Sequence, residues 1–302
     1  TTIEAGTLRL LAGATLRTLS PLNLTGTGTL DLNGNDQSIS NLTGTANTAI
    51  TLGSGDLTVT QGTAGTFAGR VSGSGDFIKQ GAATLTLSNA STGFTGRTMI
   101  RAGSLEAVAD NALGSGEVWV QGGALNVGPA ALGNSIVLAG GTLRAIGVTT
   151  LTGALSQTVD SQISSALESA SLTLQRAFAG GGHQLTIDGP GGVHLAGGAG
   201  GLASIVQSAG SELEVGTGQS IVSSGEQTYG GIVKGSNVTL TSLARRAITA
   251  TSIGNDFTGT LHVTAGSAQL GGGDTLSVAL DTGAAILAAG RALTLSGTAV
   301  SL

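Results

Sequence analysis

The chain has 302 residues, 40% of them hydrophobic and only 10% charged, with 12 Lys plus Arg against 17 Asp plus Glu and a net charge of −5. That balance excludes a surface built for a nucleic-acid backbone, which calls for clustered Lys and Arg. The absence of Cys excludes disulfides and thiolate metal sites, so packing and hydrogen bonding must hold the fold.

Gly occurs 53 times against 3 Pro, and apolar residues are spread evenly between the glycines, which marks punctuated structure rather than a linker. Aromatic residues make up 2%, and Met99, Trp119 and Tyr229 are each the sole example of their type. Such a core is aliphatic, and the scarcity of rings suggests an interior too narrow for them. Thr1-Thr2-Ile3-Glu4 lacks the basic and apolar regions of a signal peptide, and no apolar run reaches the ~18 residues of a bilayer-spanning helix. The sequence reads as an internal or processed piece.

Taken in chain order, the elements are short alternating runs. Leu24 to Gly44 contains two of them, and Leu57-Thr58-Val59-Thr60, Thr84-Leu85-Thr86-Leu87 and Val238-Thr239-Leu240-Thr241 repeat the pattern. Strict period two means strand, with Leu85 and Leu87 on the core side and Thr86 outside. Gly53-Ser54-Gly55-Asp56, Gly73-Ser74-Gly75-Asp76 and Gly114-Ser115-Gly116-Glu117 introduce such runs, their starts 20 and 41 positions apart. A second phrase, Gly103-Ser104-Leu105, Gly123-Ala124-Leu125 and Gly141-Thr142-Leu143, spaces its leucines by 20 and 18. Gly93-Phe94-Thr95-Gly96 returns near the end as Asp256-Phe257-Thr258-Gly259.

A unit of about 20 residues holding two or three short strands points to an all-β solenoid, a parallel β-helix whose coils stack strand on strand. Residues 1–302 read as one such domain. The irregular stretch is 153–180, where Leu155, Val159, Ile163 and Leu167 recur every four residues. Two readings fit it: a short amphipathic helix inserted on one side, or a coil of weaker alternation.

The passage 73–105, from Gly73-Ser74-Gly75-Asp76-Phe77 to Ala102-Gly103-Ser104-Leu105, resembles the passenger-associated strand repeat of bacterial autotransporters. Leu24 to Gly44 resembles the strand pairs that flank such repeats. The resemblance is clear over 1–145 and 250–302 and looser between. It implies a right-handed parallel β-helix, type V secreted through an outer-membrane translocator barrel to the surface of a Gram-negative bacterium. Adhesion, aggregation or toxin display is the usual work of such passengers. The particular activity does not follow from the repeat. Haemagglutinin-like two-partner secreted proteins share the texture, and that alternative stays open.

A search for chemistry returns little. No Gly-x-Ser-x-Gly elbow occurs, and His183, His194 and His262 have no metal-ligand spacing, so each reads as a surface or loop residue. The β-helix fold also hosts polysaccharide lyases and hydrolases, which need clustered carboxylates. Asp56 and Asp76 lie one coil apart, yet both sit in the Gly-Ser-Gly-Asp phrase, which favours turn-forming Asp. Glu212 and Glu214 share a strand face that they solvate. Asn23, Asn41, Asn89 and Asn237 stand in Asn-x-Ser/Thr triplets, which arise by chance in a chain this rich in Thr and Ser.

Two features remain as possible ligand contacts. Arg245-Arg246 is a small basic pair suited to an acidic sugar or a solvated turn. Alternation places Trp119 on the face opposite Val118 and Val120, and two readings fit it equally: an outward residue that stacks on a sugar or anchors a protein, or a buried corner filler. The expectation is therefore a non-catalytic surface passenger, acting as adhesin or rigid spacer, with no cofactor or metal. Its partners are surface glycans, proteins or further copies of itself. A self-associating surface or biofilm filament is the alternative, and a carbohydrate-active β-helix enzyme is the third choice.

Overall fold

The computed structural model describes residues 1–252, 254–271, 275–288 and 292–299, the last two stretches as strand backbone only. The described residues contain no helix. The chain divides into two compact units, Thr1–Arg144 and Ala145–Leu302. Each is a parallel β-solenoid with about 20 residues per turn.

In the first unit the period found in the sequence becomes a register. Leu85 stands on Gly65, Leu105 on Leu85 and Leu125 on Leu105, while Phe67, Leu87, Ala107 and Val127 form the next inward column. Leu30, Ile50 and Val71 make a second wall, in register with Leu8, which is exposed. Leu57, Phe77, Thr98, Val118 and Ile136 make a third. The alternation holds as expected, since Leu85 and Leu87 are buried while Thr86 faces out and donates its hydroxyl to Glu106 Oε2 at 3.0 Å.

The interior is not closed to rings. All five Phe and Tyr229 are buried, which corrects the expectation drawn from their scarcity. Small partners make the room: Gly44 lies opposite Phe67, and a Cβ there would collide with the ring. A related constraint acts at the corners. Gly55, Gly75, Gly96 and Gly116 stack so closely that a Cβ on any of the last three would fall on the carbonyl of the glycine one coil below.

Lys79 also points inward, between Val59 and Ile100, and is fully buried. Its ammonium donates to the carbonyls of Gln80 at 3.1 Å, Gly81 at 2.9 Å and Ala102 at 3.0 Å, which uses all three protons. Burial lowers its pKa from 10.5 to about 8.

In the second unit Leu172, Val193, Leu213 and Val233 form one inward column, and Leu185, Ile205, Gln227, Ile248 and Ala268 another. The buried Gln227 accepts a hydrogen bond from Tyr229 Oη at 2.9 Å. Asn255 is fully buried and satisfied: its Oδ1 accepts from Val233 and its Nδ2 donates to the carbonyls of Ala250 and Gly271. Strands Leu261–Gly271, Thr275–Ala288 and Ala292–Ala299 pair in parallel in turn.

The stretch 153–180 is strand, as the coil reading had it: Leu155–Gln157, Ser161–Ser165, Ser171–Leu174 and Phe178–Ala179. Leu155 and Ile163 are buried, whereas Val159 and Leu167 are 43% and 55% exposed at turns. The four-residue spacing thus came from strands alternating with turns, not from one helical face.

Two stability tests follow from this packing. Leu87→Asp places an unpaired carboxylate in the core and costs more than ~4 kcal/mol, whereas Thr86→Lys, outward beside Glu106, stays within ~0.5 kcal/mol. Denaturant midpoints of the two variants decide whether the strand faces are assigned correctly. In the second test, stability rises with pH between about 8 and 10, because the unfolded chain holds a proton on lysine that buried Lys79 has lost. The gain is roughly 2–3 kcal/mol. Above pH ~10 it falls again, since burial raises the Tyr229 pKa and only the unfolded tyrosine ionises. Lys79→Met should flatten the rise and Tyr229→Phe the fall when midpoints are measured from pH 7 to 11.

Candidate ligand-binding face

On the first unit, one column on the outer side of the strands combines part-exposed side chains with the nearly covered Ile78 and Val137. Ser38, Thr58, Ile78, Met99, Trp119 and Val137 stand in register on successive coils, with rungs about 4.8 Å apart. Trp119 is half-buried between Met99 and Val137 and faces out, on the side opposite Val118 and Val120. Its indole N–H donates to Glu117, which fixes the ring on the face.

Beside this column runs a charged row. Asp36 Oδ1 accepts the backbone N–H of Asp56, Asp56 Oδ1 that of Asp76, and Asp76 Oδ1 that of Arg97, at 2.8, 2.8 and 3.0 Å. Asp56 and Asp76 are therefore coil-joining turn residues, as the repeated phrase suggests. Arg97 closes an ion pair with Asp76 at 2.8 Å, and that carboxylate raises the guanidinium pKa above its ordinary value.

A cleft of about 310 Å³ opens at one end of the column. Its roof is the segment 13–19, which lies against the sheet because side chains capture its backbone. Asn35 Oδ1 accepts from Gly13 at 2.7 Å and Gln37 Oε1 from Leu16 at 2.6 Å, while Gln37 Nε2 donates to Ala14 at 3.1 Å. Leu16 and Ile78 line the cleft together with Thr58 and the carboxylates of Asp36 and Asp56. Sequence reasoning missed this cleft, Met99 and Ile78. Aligning the strands that begin at 57, 77, 98 and 118 by their second residue would have found the column.

The other sequence candidates sit elsewhere. Arg245 and Arg246 belong to the second unit, on an exposed turn between Thr239–Ser242 and Ala247–Ala250, with Arg245 in the left-handed region at φ 53°. The backbone N–H groups of both arginines donate to Ser242. His183 lies 3.8 Å from Asp160 and His194 3.9 Å from Glu214, and His262 is exposed on another strand. No group of three or more His, Cys, Asp or Glu that could hold a metal occurs among the described residues. Glu212 and Glu214 face outward, and Glu212 pairs with Lys234 at 2.9 Å. Asn41 Oδ1 accepts from Gly62 and Thr63 and Asn89 Nδ2 donates to Ala68, so both asparagines hold turns.

No curated protein and no solved structure matches the chain. A family model described as Passenger-associated-transport-repeat matches residues 77–107, parts of two successive coils that carry Lys79, Arg97 and Met99. That repeat, set into stacked parallel coils of about 20 residues, is consistent with an autotransporter passenger β-helix.

Proposed function

We propose that the chain is part of a secreted passenger that works at the bacterial surface as an adhesin carried on its own stiff scaffold, with no catalytic centre. The repeat family implies secretion or surface location in Gram-negative bacteria. The observation that carries the adhesive part is the outward column ending in Trp119 and Val137, where the only tryptophan of the chain is held half-exposed by Glu117. Tryptophan in such a position supplies contact area at low entropic cost.

The carboxylates speak against hydrolysis. Asp36, Asp56 and Asp76 each use one oxygen to join coils, so recruiting them as acid or base would loosen the stack. A second reading, lateral self-association into filaments, draws on the second unit. There Gln162, Thr186, Val206, Thr228, Thr249 and Gln269 form an uncharged outward column.

Displayed on a non-adherent bacterial host, the passenger should confer binding to host cells or to sister bacteria. Trp119→Ala should lower that binding about tenfold while Tm stays unchanged. Adhesion indifferent to Trp119 but lost on charging Thr228 would favour the filament. Release of reducing ends from a polysaccharide panel by the purified protein would establish an enzyme instead.

A further inference from the structure

We infer that the cleft and the column leading to Trp119 form an oligosaccharide site selective for neutral or amino-bearing sugars. This deepens the adhesin reading and rests on it. Three observations favour a sugar. The polar residues lining the cleft are the hydroxyl-bearing Thr15, Thr18, Ser38 and Thr58, the amide Gln37 and the carboxylate-bearing Asp36 and Asp56. These are groups that exchange hydrogen bonds with sugar hydroxyls, and Leu16 from the roof and Ile78 from the sheet add apolar contact.

The column then continues through Met99 to Trp119 at one rung per coil. That repeat is close to the length of one pyranose unit, so a chain lying along the column keeps a ring over each rung. The C–H face of a sugar meets the thioether and the indole, and its edges meet the charged row.

The third observation is charge. Both charged residues lining the cleft are carboxylates; the guanidinium of the row, Arg97, is already paired with Asp76, and Arg17, between Leu16 and Thr18, is exposed and not among the lining residues. A uronic or sialic acid would bring like charge against like; an ammonium on a glucosamine unit would meet Asp36 and Asp56. A peptide is the poorer occupant. Peptides that bind sheets mostly add a strand to an open edge, whereas the backbone of this face is engaged with the coils on either side and offers side chains alone.

The sole tryptophan makes the test direct. The unmodified protein is titrated with tetramers of N-acetylglucosamine, glucosamine and galacturonate, read by Trp119 fluorescence and by calorimetry. Saturable binding of the first two is expected, with galacturonate at least tenfold weaker. Trp119→Ala should weaken the N-acetylglucosamine tetramer about tenfold by calorimetry, and Trp119→Phe should restore part of the loss. The double variant Asp36→Asn, Asp56→Asn keeps the Oδ1 acceptors of the coil joints. It should erase the preference for glucosamine over galacturonate.

No saturation at millimolar sugar, tightest binding of galacturonate, or tighter binding of an oligolysine peptide than of any sugar would overturn the inference. If those results came with Trp119-dependent adhesion intact, the adhesin reading would survive with a protein ligand. If adhesion were also lost, both would fall.

Discussion

The constraint on which everything else depends is the in-register parallel hydrogen bonding between coils. It places each side chain directly on its counterpart about 20 residues away, so chemistry accumulates in columns instead of patches. Leucine rests on leucine inside. Outside, Thr86, Glu106 and Asn126 bond to one another in file. A turn carboxylate in one coil finds the backbone N–H of the next because the same phrase recurs at the same height. A change at one position is therefore felt by two neighbours, and most sharply at the glycine corners, where no atom can be added.

Much of this was legible in the sequence because periodicity is a property of the sequence. The 20-residue spacing, the inward Leu85 and Leu87 and the placing of Trp119 opposite Val118 and Val120 all follow from counting positions. What escaped has specific physical causes. The buried rings depend on which residue stands opposite, and Gly44 facing Phe67 is a relation between coils that local patterns hide. Lys79 was available to strict alternation, being two positions from buried Phe77. The usual equation of lysine with surface concealed it, and only the three carbonyls around its ammonium make the burial tolerable. The cleft has no periodic signature at all, since the segment 13–19 is held by Asn35 and Gln37 through contacts that occur once.

The division of labour between the faces explains why the repeat says much about architecture and little about partner. Inward positions accept any aliphatic residue of suitable size, and the turn phrases are shared by coil after coil. Individuality is left to outward columns: an apolar and aromatic one in the first unit, an uncharged one rich in threonine in the second. Ion pairs such as Asp76–Arg97 and Glu212–Lys234 are exposed and contribute little to stability. They shape which surfaces are charged more than they hold the coils together.

The ammonium of Lys79 also carries a statement about sequence of events. Two of its acceptors, Gln80 and Gly81, follow it directly, but the third, Ala102, belongs to the coil above. Until that coil arrives, a cation in the apolar tube keeps an unanswered proton, and the layer is incomplete. The layer that holds Lys79 is thus completed only by the coil that follows it, which ties the two together at the repeat itself.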